Sequence, residues 1–236
     1  MLLFMKSGDR TVEFMCYDTE DSKGHSEGIL TGRTYPHVSF VNEVEVIVDI
    51  GANIGASSVF FSLHYPEATI YSVEPQKGPF ELLTRNTQGN PKNRCFNVGL
   101  FDCEKTVPLY HSWVDPGTAS IGKSWLNTAE SESIRLRDTA TWLSEEGITR
   151  IDILKIDTEG CERHILSRME HIVPFVKALY LEYHSEEDRR ALDSMLAPSH
   201  VLYRARVDKA HCGELLYVRS DLDIHAPELH KHRITI

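Results

Sequence analysis

Four short stretches gather the residues best suited to chemistry: Asp49-Ile-Gly-Ala-Asn-Ile-Gly55, Val73-Glu-Pro75, Leu154-Lys-Ile-Asp-Thr-Glu-Gly-Cys-Glu162 and Leu181-Glu-Tyr-His184. In the first, Gly51 and Gly55 let the backbone turn tightly and approach a ligand, and Asn53 tolerates left-handed φ. The G-x-x-x-G spacing differs from the G-x-G-x-x-G of dinucleotide sites, and no G-x-x-x-x-G-K-S/T occurs, which excludes a P-loop. A nicotinamide or flavin dinucleotide, or a turn that binds nothing, remain as alternatives. Glu74 falls 25 residues after Asp49, where a carboxylate can accept both hydroxyl hydrogens of a ribose. Asp49 nearby would repel phosphate. The pair therefore favours a cofactor with a ribose and no pyrophosphate, a description met by S-adenosylmethionine, which is cationic at sulfur.

These residues need strands and helices to place them, and the hydrophobic pattern supplies both. Val44–Asp49, Thr69–Val73, Cys95–Val98, Ile151–Ile156 and Ala178–Glu182 read as strands, with a closing pair at Val201–Arg204 and Leu215–Arg219. Helices are expected over Ala56–His64, Pro79–Asn86, Thr139–Glu146, Glu162–Met169 and Glu186–Leu196. Val107–Tyr110 reads as part of a hairpin and 112–128 as a Gly/Ser/Thr-rich loop, where Trp113 and Trp125 are candidate pocket residues and Trp142 a core residue. The alternation is that of a doubly wound α/β sheet. Residues 1–40, polar and turn-rich with a strand-like Val12–Met15, form an N-terminal extension; 41–221 form the domain and 222–236 a tail. With 236 residues, one such domain can bury a substantial core.

Charge and cysteine usage narrow the classes further. Lys+Arg number 25 against 35 Asp+Glu, a net charge of -10, which argues against nucleic acid or an anionic membrane as partner. The five cysteines are scattered, without a C-x-x-C pair, as expected of a reducing, cytoplasmic setting rather than a disulfide framework or zinc cradle. No apolar run approaches the length of a spanning helix.

Taken together, Asp49–Gly55, Val73–Pro75 and above all Leu154–Glu162 resemble the FkbM-type S-adenosylmethionine-dependent methyltransferases, whose hallmark is a K-I-D-x-E-G-x-E segment. The resemblance runs from about Val46 to Tyr183. It implies a class I methyltransferase fold, Rossmann-like, with a mostly parallel seven-stranded sheet and a reversed final hairpin. It also implies methyl transfer, usually to a hydroxyl of a small molecule or glycan, with S-adenosylmethionine bound by Asp49, Gly51, Asn53, Gly55 and Glu74. Asp102, after the third strand, becomes a candidate for the adenine amino group.

The strand order implied by the resemblance makes the first, fourth and fifth strands neighbours, so Lys155, Asp157, Glu159, Glu182 and His184 converge at one crevice. His184 suits a general base because an unperturbed imidazole titrates near working pH; Asp157 would orient the hydroxyl or the imidazolium, and Lys155 would tether the carboxylates. The alternatives are an ion-paired strand end and a divalent cation on Asp157, Glu182 and His184, although neither family nor sequence demands a metal. A non-catalytic cofactor-binding domain and an NAD-dependent oxidoreductase stand as rival functions.

Overall fold

The computed structural model describes residues 1–7, 10–112 and 127–222. In chain order the elements are β1 (Leu2–Ser7), β2 (Arg10–Met15), α1 (Glu20–Leu30), β3 (Val46–Ile50), α2 (Ala56–His64), β4 (Thr69–Val73), α3 (Lys77–Thr87), β5 (Asn93–Phe96), β6 (Gly99–Phe101), β7 (Lys105–Ser112) and β8 (Asn127–Asp138). They continue with α4 (Thr139–Glu145), β9 (Ile153–Ile156), α5 (Glu162–Ser167), β10 (Ala178–Tyr183), α6 (Glu186–Leu196), β11 (His200–Lys209) and β12 (Cys212–Arg219).

The seven-stranded sheet has the order β11-β12-β10-β9-β3-β4-β5. Its middle strands are parallel, while β12 runs antiparallel to both β10 and β11, the reversed final hairpin that the resemblance implies. β3 and β9 are buried on both faces because helices cover both, and apart from Asp49 and Lys155 they are apolar. Val48, Ile50, Leu154 and Ile156 pack under α4, α5 and α6 with Trp142, Ile165 and Leu192. Ile47 and Ile153, of opposite parity, pack on the other side with Ile29 and Leu30 of α1 and Phe60 and Phe61 of α2. Trp142 is a core residue, as its spacing implied.

Two parts differ from the sequence reading. The Gly/Ser/Asp-rich stretch read as turns from Asp18 to Gly28 is largely helical in α1, with Thr19 Oγ1 accepting from Ser22 N at 3.2 Å as the N-cap. The expected N-terminal extension contributes to the core: Phe14, Cys16, Ile29, Tyr35 and Val38 all belong to its second cluster. A three-stranded sheet, β6-β8-β7, also stands apart from the main one, closed over Leu109, Ile134 and Leu136. Trp113, Trp125 and residues 223–236 of the tail fall outside the described residues. Among the described residues no helix is long and apolar enough to cross a membrane.

Candidate active site

The turn after β3 folds back because three residues adopt left-handed φ: Gly51 at 74°, Asn53 at 48° and Gly55 at 93°. A Cβ on Gly51 would stand 1.8 Å from the carbonyl oxygen of Asp157, so only glycine lets the end of β9 lie against this turn. Gly55 opens α2 and packs on Leu83. Asp49 is fully buried behind the turn rather than on the cavity wall. Its Oδ2 accepts from the hydroxyls of Ser57 and Ser58 at 2.6 Å each, and its Oδ1 faces Lys155 Nζ at 3.4 Å.

A cavity of about 350 Å³ opens at the carboxyl ends of the parallel strands. Beyond β4 and β5 it is lined by Asn53, Glu74 and an apolar slot of Val98, Leu100, Leu109, Ile134 and Leu136. Glu74 is buried, its two oxygens accepting from Asn53 N at 2.9 Å and Gln76 N at 2.8 Å. Burial raises its pKa to about 7, against the pull of those two backbone bonds. The buried Oδ1 of Asn53 lacks a hydrogen-bond partner among the described residues.

Beyond β9, β10 and β12 the wall is polar. Lys155, 2 % exposed, donates to Gly51 O at 2.5 Å and lies 3.6 Å from Asp157 Oδ2. Burial works against its charge, but Asp49 and Asp157 outweigh burial and raise its pKa above the usual lysine value. Asp157 accepts from Tyr35 OH at 2.7 Å. Burial opposes its ionisation too, yet Lys155 and hydrogen bonds from Glu182 and Tyr35 hold it well below the ordinary carboxylate range. Glu182 moves the opposite way, raised by burial and by the charge of Asp157, so the proton the two share sits on Glu182.

The structure does not bring every predicted residue to the cavity. His184 lies off the wall, its Nε2 3.1 Å from Glu159 Oε2 and 3.3 Å from Glu182 Oε2. Burial favours the neutral ring, but the carboxyl groups of Glu159 and Glu182 beside Nε2 and of Glu162 at 3.8 Å from Nδ1 prevail and raise its pKa far above the usual histidine value. An imidazolium held in this way has no free lone pair for a substrate proton, which corrects the base assignment. Asp102 likewise turns away from the cavity and pairs with His164 Nδ1 at 2.6 Å. Cys161 is a buried thiol whose pKa burial raises to about 12, a packed group rather than a nucleophile.

Other wall residues carried no signal in the sequence. Tyr35 lies 122 positions before its partner Asp157 in an otherwise polar segment, and His25 and Ile29 of α1 join it. Arg206 and Glu214, paired at 2.8 Å across the β11–β12 hairpin, complete this end.

Comparison with known proteins identifies the family and the fold. Residues 49–213 match the family model of the methyltransferase FkbM domain. The methyltransferase sdnD of Sordaria araneosa is 27% identical over 155 residues, covering 52% of this chain and 60% of that protein. The 2-O-methyltransferase NoeI of Sinorhizobium fredii is 24% identical over 156 residues, covering 60% and 64%. The match thus spans less than two thirds of each relative's length. Among solved structures, the Methanococcus jannaschii fibrillarin pre-rRNA processing protein superposes with a TM-score of 0.52 at 9% identity, over 92% of this chain and 82% of that one. That likeness establishes the class I methyltransferase fold.

Proposed function

Because the chain belongs to the methyltransferase FkbM domain family, we propose that it moves the methyl group of S-adenosylmethionine to a hydroxyl oxygen of a small-molecule or glycan acceptor. The observation that carries this reading is one continuous cavity with a buried carboxylate and an apolar slot at one end and a cluster of carboxylates at the other. The first end suits a nucleoside. Glu74 has acceptor capacity left for ribose hydroxyls, the buried Asn53 Oδ1 beside it is without a donor among the described residues, and the apolar slot fits a flat base.

When bound, the cofactor supplies an electrophilic methyl on a positively charged sulfur, open to in-line displacement by an oxygen lone pair. This chain's residues do the rest. Asp157, kept ionised by Lys155 and Tyr35, accepts a hydrogen bond from the acceptor hydroxyl, and its carboxylate takes that proton as the oxygen attacks. Glu182, hydrogen-bonded to Asp157, holds that carboxylate in place. α1, Tyr35 and the β11–β12 hairpin wall the site and fix the acceptor; such positioning is worth about 7–11 kcal/mol in favourable cases. The name of the Sinorhizobium relative, a 2-O-methyltransferase, supports oxygen as the atom methylated.

The test measures S-adenosylhomocysteine formed from S-adenosylmethionine with a panel of sugar and polyketide alcohols, alongside calorimetric binding of S-adenosylhomocysteine and of NAD. S-adenosylhomocysteine binds and NAD does not. Asp157→Asn keeps binding and loses at least about a hundredfold in turnover. Failure of the unmutated chain to bind the nucleoside, or native turnover by Asp157→Asn, overturns the proposal.

A further inference from the structure

Glu159, Glu182 and His184 bring three ligating atoms within 4.8 Å of one another. Glu159 follows β9, while Glu182 and His184 lie at the end of β10, so two adjacent strand ends supply the donors. The separations from His184 Nε2, 3.1 Å to Glu159 and 3.3 Å to Glu182, match a shared ion. Two donors each about 2.1 Å from one ion stand about 3.0 Å apart at a right angle and about 3.4 Å apart at a tetrahedral one. The far side of the ring is also arranged for ligation. Nδ1 is buried without a hydrogen-bond partner among the described residues and faces the buried carboxylate of Glu162 at 3.8 Å. That carboxylate is itself fixed by Thr158 N at 2.9 Å and Gly160 N at 3.3 Å. A fixed carboxylate behind the second ring nitrogen is the usual support of a ligating histidine.

We propose that Glu159, Glu182 and His184 form a binding site for one divalent transition-metal cation at the acceptor end of the cavity. Two carboxylates and an imidazole favour an ion such as Mn²⁺, Co²⁺ or Zn²⁺ over Ca²⁺. The donors differ from those weighed in the sequence, because Asp157 is turned to Tyr35 and Lys155 and Glu159 takes its place. On binding, the ring releases its Nε2 proton and Glu182 the proton it shares with Asp157, both to solvent. The purpose of the site rests on the methyl-transfer reading. Asp157 Oδ2 is already engaged by Tyr35 and Lys155 and is a weak proton acceptor, and a cation beside the acceptor oxygen loosens the hydroxyl proton that Asp157 must take.

The experiment titrates Mn²⁺ alone into the chelator-treated full chain and follows the electron paramagnetic resonance of free Mn²⁺, with calorimetric binding of S-adenosylhomocysteine as the check on folding. One Mn²⁺ binds per chain. Glu159→Gln and His184→Gln weaken it about tenfold or more while still binding S-adenosylhomocysteine, and Glu187→Gln, which removes an exposed carboxylate of α6, changes nothing. No Mn²⁺ binding below about 1 mM, or equally tight binding by Glu159→Gln and His184→Gln, overturns the cation site. A chain that binds Mn²⁺ as expected and not S-adenosylhomocysteine upholds the site and overturns the methyl-donor reading instead.

Discussion

Lowering the pH should weaken nucleoside binding through one group, Glu74. Its two oxygens already accept from Asn53 N and Gln76 N, so ribose hydroxyls must use the remaining lone pairs of a carboxylate. A proton added to either oxygen competes for them. With its pKa raised to about 7, the ionised fraction falls from about nine-tenths at pH 8 to about one-tenth at pH 6. The affinity for S-adenosylhomocysteine should therefore drop about tenfold, or about 1.4 kcal/mol. Calorimetry at pH 6, 7 and 8 measures it directly. Glu74→Gln turns an amide N–H₂ towards one of the two backbone donors and removes a charged acceptor, so it should bind about ten- to a hundredfold more weakly at pH 8 and lose the pH dependence. Less than a twofold change between pH 8 and 6, or the same change surviving in Glu74→Gln, would refute the ribose assignment. The same shift acts on the free protein. Because folding raises this pKa, its contribution to stability is fully present below about 4.5 and is lost as pH rises through about 7. That costs about 3 kcal/mol in the absence of ligand.

Two further outcomes test the turn and the corrected adenine assignment. Gly51→Ala forces a left-handed φ on alanine and drives its Cβ into the Asp157 carbonyl, so it should cost at least about 2 kcal/mol. Calorimetric unfolding should show a fall of about 4–8 °C, and an unchanged midpoint would mean the close approach is absent. Asp102→Ala should leave S-adenosylhomocysteine affinity within about twofold, because Asp102 is bonded to His164 and lies off the cavity wall; a tenfold loss would restore it to the adenine site.

The sheet was legible because its central strands β3, β9 and β10 are buried on both faces and show as short apolar runs. β4 and α2 begin and end where the pattern placed them. α1 was not legible: Gly24, Gly28 and its many polar residues give it no apolar face, and its stability comes from the Thr19 cap and from Ile29 and Leu30 packed into the core. The small second sheet left a trace in Ile134-Arg-Leu-Arg137, where two apolar residues alternate with two charged ones, too short a run to read alone. At the site, the turn and the carboxylates were visible as types, but their protonation was not. His184 becomes a cation only because Glu159, Glu162 and Glu182 arrive from other segments, and Asp102 leaves the crevice only because His164 is there to receive it.

The hydrogen bond from Tyr35 to Asp157 joins the earliest part of the chain to the centre of the crevice. Residues before β3 contribute His25, Ile29 and Tyr35 to the polar end of the cavity, whereas the apolar slot is built from residues after β3. The polar end thus combines residues from before β3 with others from β9, β10 and the β11–β12 hairpin. Exchanging the segment ahead of β3, with a tyrosine kept at position 35, would therefore reshape one side of the polar end while Lys155, Asp157, Glu182 and the β11–β12 hairpin keep their places, so the cavity can be altered at its rim without disturbing its centre.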